Sequence, residues 1–280
     1  MKYLEVAHFG NNYLFNKNIQ NYKLDVEILA SSIIKKSREY FLLNQKKKFI
    51  KKEFNRFKKF LKKRNNRQPV AQIINKKEFW KQNLYIDNNV LIPRPESEHI
   101  VEETANLIKD ERNYSILDIG CGSGCLIISI LLDKINCRGT ALDVSKKAIK
   151  VSKINAKMQH IENRIKFMHS DIDKVFVGKY DLIITNPPYI KKSKIKYLDD
   201  EIKTFEPKLA LDGGIDGLSK IKKIILKSSK LIKRGGKFII EMGFDQKFKV
   251  EQILKENYFY VNKVVKDYSG KDRCIVATKL

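Results

Sequence analysis

The period of the hydrophobic positions changes twice along this chain, and each change marks a different kind of structure. Over about the first 70 residues apolar positions recur every three or four places. Leu24, Ile28, Ile33 or Ile34 and Phe41 make one series, running on to Leu42-Leu43; Phe49, Ile50, Phe54, Phe57, Phe60 and Leu61 make a second between Asn44 and Arg67. This is the spacing of helices that each bury one face. Lysines fill the positions between, so the second helix is expected to carry a basic outer face. That face suits either a solvated bundle helix or a docking surface for a negatively charged macromolecule. Gln68-Pro69 closes the helix, because proline cannot continue it.

From Ile73 to Ile92 the pattern shortens. Phe79, Trp80, Leu84, Tyr85 and Ile86, then Val90, Leu91 and Ile92, flank the turn signal Asp87-Asn88-Asn89, which predicts a β-hairpin. Pro93-Arg94-Pro95-Glu96 breaks it, and Glu96 to Lys109 is expected to be a helix with Ile100, Val101, Ala105 and Ile108 inward. Strands at Ser115–Ile119, Arg138–Leu142, Ile165–His169, Tyr180–Thr185 and Lys237–Met242 then alternate with helices starting near Gly124, Ser145, Leu218 and Asp245. Phe259–Val265 and Arg273–Thr278 suit an antiparallel edge pair. Alternation of this kind implies an α/β chain with a parallel, doubly wound sheet that binds ligands at the carboxyl ends of its strands. The expected organisation is a helical domain over 1–70, a linker and β-hairpin over 71–92, and the α/β domain over 93–280.

Composition narrows the setting. A length of 280 residues, with 42% hydrophobic and 10% aromatic residues, fits a globular protein of about two domains. The residues after Met1 show no apolar h-region, and the longest apolar run, Cys125 to Leu132, is too short to span a membrane. Cys121, Cys125, Cys137 and Cys274 have neither zinc nor disulfide spacing, so free thiols in a reducing cytoplasm and no metal are expected. The net charge of +25 attracts nucleic acid, anionic membrane or an acidic protein. Its lysines are spread along the whole chain, however, and abundant Asn and Ile favour compositional drift over a dedicated nucleic-acid surface.

Two motifs carry chemistry. Ile116-Leu117-Asp118-Ile119 runs into Gly120-Cys121-Gly122-Ser123-Gly124, a strand followed by a glycine-rich turn and a helix. Glycines there permit positive φ and close approach of backbone to a ligand. Asp143 lies 19 positions beyond Gly124, at the end of the next strand, where a carboxylate binds ribose hydroxyls. No Walker lysine follows, so an adenosyl cofactor is favoured over a nucleoside triphosphate. Asp171, after the third strand, is placed to accept from an adenine amino group or simply to cap a turn. The second motif is Asn186-Pro187-Pro188-Tyr189, at the tip of the apolar strand Asp181–Thr185. Two prolines remove two N–H donors and leave rigid carbonyl acceptors. A planar –NH2 group suits such a site, with Asn186 and the Pro187 carbonyl accepting its hydrogens and Tyr189 covering its face. A plain turn after a strand reads equally well from these four residues alone.

Together the two motifs resemble class I methyltransferases: a Rossmann-like sheet, with S-adenosyl-L-methionine against the glycine turn and Asn-Pro-Pro-Tyr as the amine- or amide-binding tetrapeptide. Val90-Leu91-Ile92-Pro93-Arg94-Pro95-Glu96-Ser97-Glu98, Phe205-Glu206-Pro207-Lys208-Leu209-Ala210-Leu211-Asp212-Gly213-Gly214 and Lys271-Asp272-Arg273 closely resemble segments of the PrmC/HemK release factor glutamine methyltransferases. Asp25–Leu29, Lys36-Ser37-Arg38 and Gln68–Ile74 with Glu78-Phe79-Trp80 resemble that family's helical domain and linker, so the likeness covers nearly the whole length. Asn75 departs from it, standing where the family usually has glycine. The resemblance implies methylation of the glutamine side-chain nitrogen in the Gly-Gly-Gln motif of class I peptide release factors by a cytoplasmic monomer that needs no nucleic acid. It implies that Asn186, Pro187 and Tyr189 act in catalysis and that Asn186, Pro187, Pro188, Tyr189 and Arg94 bind substrate. Gly120, Cys121, Gly122, Ser123, Gly124, Asp143, Asp171 and Asn186 would bind the cofactor. Pro93, Arg94 and Glu98 would shape the pocket mouth, with an internal salt bridge as the other role for Arg94. A nucleic-acid amino-methyltransferase shares the tetrapeptide and is the rival reading.

Overall fold

The computed structural model describes residues 1–15, 19–109 and 112–280. The chain divides into two compact units, residues 1–76 with 199–205 and residues 77–198 with 206–280.

The first unit is helical. Helices α1 (Tyr3–Phe15), α2 (Tyr22–Ile34), α3 (Arg38–Leu43), α4 (Lys51–Asn65) and α5 (Val70–Ile74) bury Val6, Leu14, Val26, Leu29, Ile33, Phe41, Phe49, Phe57 and Leu61 against one another. The first apolar series does not stay in one helix. Lys35 takes a left-handed φ of 53°, and Ser37 caps α3 by accepting the Tyr40 N–H at 3.2 Å. The buried face of α2 is Val26, Leu29, Ala30 and Ile33, and Leu24 is exposed, because two residues turn a helix by about 200°. Likewise α4 starts only at Lys51, so Phe49 enters the core from the preceding loop while Ile50 stays exposed. The basic face of α4 is as expected, with Lys51, Lys52, Lys58, Lys59, Lys62 and Lys63 exposed opposite Phe57 and Leu61. Arg64 is the exception and turns inward. It pairs with Asp25 at 2.7 Å and with Glu201, on a short helix Asp200–Phe205 that returns from later in the chain, also at 2.7 Å. Asn75 ends α5 at φ 53°, a conformation that glycine takes freely and asparagine tolerates.

The second unit opens with the hairpin, shorter and earlier than predicted. Strand β1 (Lys77–Phe79) pairs antiparallel with β2 (Gln82–Leu84). Its turn is at Trp80-Lys81, with Trp80 at φ 56° and its N–H bonded to Glu98 Oε1 at 2.7 Å. Asp87-Asn88-Asn89 does turn, closed by Asp87 on the Asn89 N–H at 2.9 Å, but Val90–Ile92 forms no strand. The Ile92 N–H goes to Glu206 Oε2 at 3.2 Å instead of to a neighbouring strand. A turn of 3₁₀ helix at Pro95–Ser97 leads into α6 (Glu98–Leu107), which buries Ile100 and Val101.

A seven-stranded mixed sheet follows, built from β3 (Ser115–Ile119), β4 (Arg138–Asp143), β5 (Ile165–His169), β6 (Tyr180–Thr185), β7 (Ile232–Glu241), β8 (Phe259–Lys266) and β9 (Asp272–Lys279). Its order is β5-β4-β3-β6-β7-β9-β8; β9 alone runs antiparallel, inserted between β7 and β8, and β8 shares the direction of the other strands. Crossover helices α7 (Cys125–Asp133), α8 (Lys146–Met158), α9 (Ser219–Leu231) and α10 (Lys247–Glu256) begin close to their expected positions. All six residues of β6 are buried, which explains its unbroken apolar run: a central parallel strand is covered on both faces.

Candidate active site

β3 and β6 lie side by side with Ile119 opposite Thr185, and Thr185 Oγ1 donates to the Ile119 carbonyl at 2.8 Å. The next residues are Gly120 and Asn186, so both motifs emerge together at the carboxyl edge of the sheet. The chain leaves β3 towards β4 and β5 on one side and returns to β6 on the other. That makes the gap a topological switch point, where open α/β sheets bind ligands.

A cavity opens there. Of the expected site residues, Gly120, Cys121, Gly122, Ser123, Asp143, Asp171, Asn186, Pro187, Pro188 and Arg94 line it, and Gly124 and Tyr189 do not. The glycines have separate jobs. Gly120 and Gly122 stand at φ 73° and 54°; a Cβ on the first would meet nothing within 4 Å, and on the second only the Gly120 carbonyl at 4.0 Å. Their bare faces therefore leave open space against which a ligand can lie. A Cβ on Gly124 would come within 2.4 Å of Ser152 Oγ and 2.9 Å of Ile128 Cδ1, so this glycine serves the packing of α7 on α8.

Asp143 binds the turn as well as facing the cavity: Oδ2 accepts the Gly122 N–H at 2.9 Å and Oδ1 the Ser145 N–H at 2.8 Å. Each oxygen keeps a lone pair for a further donor such as a ribose hydroxyl. Burial raises its carboxyl pKa, and these two N–H groups oppose the shift. Asp171 lines the cavity, but its carboxylate caps the turn at Ile172–Lys174 through the Asp173 N–H and pairs with Lys223 at 2.9 Å. That bond and Lys223 hold its pKa below the usual value. Asp118, at the end of β3, was not singled out as a site residue. It is fully buried with no hydrogen-bond partner on either oxygen, and the Ile127 amide faces it without closing a bond of ordinary geometry. Burial pushes its carboxyl up to about 8.

At the second motif, Asn186 Nδ2 donates to Ser97 Oγ at 2.8 Å, which in turn donates to Glu241 Oε2 at 2.5 Å. Tyr189 does not line the cavity; it packs against the sheet core, and its hydroxyl donates to Glu241 Oε1 at 3.2 Å. Burial, with Glu241 beside it, raises that phenol well above its ordinary pKa. Arg94 forms the internal salt bridge, 2.5 Å to Glu206 Oε1, so Glu206 ties down both the Arg94 side chain and the Ile92 amide. Glu98 does not line the cavity and holds the hairpin turn instead. Ser97 and Glu241 escaped the sequence reading. A charge inside the apolar run Phe238-Ile239-Ile240-Glu241-Met242, at the carboxyl end of a strand, was the available signal. Burial raises the Cys121 thiol well above its ordinary range, which suits a wall residue and not a nucleophile.

The sheet order, with its inserted antiparallel strand β9, and the cavity over Gly120 and Asn186 define a class I methyltransferase. The chain matches the family described as methyltransferase small domain over residues 102–205 and the PrmC N-terminal domain over residues 5–74. A methyltransferase from Pyrococcus furiosus shares the fold at TM-score 0.52 and 19% identity, over 70% of this chain and 87% of that one. A ribosomal protein L11 methylase from Lactobacillus delbrueckii subsp. bulgaricus does so at TM-score 0.51 and 17% identity, over 73% and 89%. Among sequences, the release factor glutamine methyltransferase of Clostridium botulinum is 34% identical over 96% of both chains. That of Caulobacter vibrioides is 36% identical over 77% of this chain and 75% of its own. This chain belongs to the release factor glutamine methyltransferase family. Its cofactor is S-adenosylmethionine, which the open faces of Gly120 and Gly122 and the carboxylate of Asp143 fit. Among the described residues no helix is long and apolar enough to cross a membrane.

Proposed function

We propose that this protein methylates the side-chain amide nitrogen of the glutamine in the Gly-Gly-Gln motif of class I peptide release factors, as a cytoplasmic monomer and without nucleic acid. In this reading residues 1–70 bind the partner, residues 71–92 link, and residues 93–280 carry the chemistry. The match of residues 5–74 to the PrmC N-terminal domain supports that division. Gly120 to Ser123 and Asp143 hold the cofactor, which when bound supplies a methyl group on a sulfonium, and Gly124 lets the turn pack against α8.

An amide nitrogen is a poor nucleophile because its lone pair is delocalised into the carbonyl, so positioning has to dominate. The observation that carries the proposal is Asn186. It lines the cavity with Nδ2 already committed to Ser97, so Oδ1 is the atom it offers. Oδ1 and the Pro187 carbonyl accept the two amide hydrogens and turn the nitrogen lone pair towards the methyl group. Both acceptors strengthen as positive charge develops on nitrogen, which favours the transition state over the ground state. The proton leaves after methyl transfer, so no dedicated base is needed. Tyr189 supports the motif through its bond to Glu241.

Incubation with S-adenosylmethionine and a purified release factor, DNA or rRNA, followed by mass spectrometry, tests the substrate. Methyl on the Gly-Gly-Gln glutamine is expected; methyl on nucleic acid alone would establish the rival reading. Asn186→Ala is expected to abolish turnover and leave cofactor affinity nearly unchanged, and near-normal turnover would remove the role assigned to Asn186.

A further inference from the structure

The two ends of an asparagine amide have opposite hydrogen-bonding character, and the proposed reaction needs the oxygen to face the substrate. Something must fix which end points into the cavity. Ser97 Oγ lies 2.8 Å from Asn186 Nδ2 and 2.5 Å from Glu241 Oε2, and the Tyr189 hydroxyl lies 3.2 Å from Glu241 Oε1. A serine hydroxyl has a single proton. Ser97 gives its proton to Glu241 and turns lone pairs towards Asn186, so only the –NH2 end of Asn186 makes a bond there. With the amide turned over, Oδ1 would face those lone pairs with no hydrogen between them.

With Glu241 ionised its carboxylate only accepts, which fits hydroxyls of Ser97 and Tyr189 on its two oxygens. The chain of bonds therefore has one direction, from Asn186 through Ser97 to Glu241. Ser97 and Glu241 are each 2% exposed, so water cannot substitute for either partner. They stand on different elements, the turn before α6 and the end of β7, with Asn186 at the tip of β6. Burial pushes the Glu241 carboxyl up, and Ser97, Arg273 and Tyr189 oppose that shift.

We propose that Glu241 is a positioning residue for methyl transfer: acting through Ser97, its carboxylate sets the polarity of Asn186 so that Oδ1 is presented to the substrate amide. The proposal rests on the function argued above and adds a residue that does not line the cavity. Glu241→Gln is the informative change. It conserves shape but lets Nε2 donate to Ser97, whose proton is then free to turn towards Asn186 and draw Oδ1 out of the cavity.

The experiment uses the full chain with a release factor as substrate. It measures kcat, cofactor affinity and the Asn186 side-chain –NH2 signal in ¹⁵N–¹H spectra, assigned by its loss in Asn186→Asp. Glu241→Gln and Ser97→Ala are each expected to lower kcat about 100-fold with cofactor Kd within about two-fold. The double variant should be no slower than the slower single one, since both act on one network. Ser97→Thr, which keeps the hydroxyl, should recover most of the rate, and the Asn186 signal should move in Glu241→Gln and Ser97→Ala alone. A Glu241→Gln rate within about three-fold of the parent, additive losses, or parallel loss of cofactor binding would overturn the proposal. If the parent protein methylates no release factor, the functional reading fails separately. The Asn186 signal in Glu241→Gln then still decides the polarity, because it needs no substrate.

Discussion

Asp143 Oδ2 sits 2.9 Å from the Gly122 N–H, so the acid that ends β4 also holds the glycine turn that follows β3. One carboxylate thus shapes the glycine turn and, in the proposed function, also takes part in the cofactor site. Asp143→Asn keeps the shape but sets an –NH2 group against the N–H of either Gly122 or Ser145. The expected result is cofactor affinity weakened at least ten-fold together with a stability loss of about 1–3 kcal/mol. Calorimetric titration and thermal melts check the two parts separately; unchanged affinity would confine Asp143 to a structural role.

The glycines of the turn should separate by phenotype. Gly122→Ala places a methyl in open space at a φ of 54°, costing on the order of 1–2 kcal/mol in backbone strain and intruding on the face proposed for the cofactor. Gly124→Ala drives a methyl to within 2.4 Å of Ser152 Oγ and adds overpacking of about 1–3 kcal/mol to its own strain at φ 81°. We expect Gly122→Ala to fold and bind cofactor poorly, and Gly124→Ala to show the larger drop in melting temperature. The reverse ranking of melting temperatures would contradict the packing role of Gly124.

Asp118 predicts a pH dependence of stability. Its carboxyl is raised to about 8 in the folded chain by burial, against an ordinary value near 3.9 when unfolded. Between those values the folded state holds a proton that the unfolded state has lost. Stability from this group is therefore fully present below about pH 4 and falls as pH rises to about 8, by up to about 1.4 kcal/mol per unit. Asp118→Asn, which cannot ionise, should flatten that slope. Denaturant titrations of both proteins between pH 5 and pH 8.5 measure it, and parallel curves would show that Asp118 is ionised in the fold.

Arg64 predicts where the helical unit is weakest. Its side chain is 7% exposed and pairs with both Asp25 and Glu201. Removing it leaves the buried Asp25 without its charge partner, beside the partly exposed Glu201. Arg64→Ala is expected to cost about 3–5 kcal/mol, and Arg64→Lys to recover only part, since an ammonium lacks the guanidinium fork. Hydrogen exchange localised to α2 and to residues 199–205 would report the loss. Protection unchanged in residues 199–205 would mean that the Glu201 contact contributes nothing.

The central strand β6 could be read from its single run because it is covered on both faces, which an unbroken stretch such as Leu182-Ile183-Ile184 suits. The basic outer face of α4 was legible for the complementary reason, since a three- and four-residue period defines one buried side. The hairpin was misplaced because two turn signals compete there. Tertiary bonds chose between them: Glu98 stabilises the turn at Trp80, and Glu206 takes the Ile92 amide that a strand at Val90–Ile92 would have needed.

At the site, local sequence by itself determined where the pieces stand: a glycine turn after one strand, an acid at the end of the next and an Asn-Pro-Pro tip after a buried one. It left the tip open between a turn and an amide-binding site. Only the tertiary structure decided that the pieces meet, because β6 returns to pair with β3 after the chain has built β4 and β5. In the proposed arrangement it also sets which end of Asn186 faces the cavity. That depends on Ser97 and Glu241, 89 residues before and 55 residues after it, and hydrogen-bond direction belongs to a network whose members are brought together only by folding.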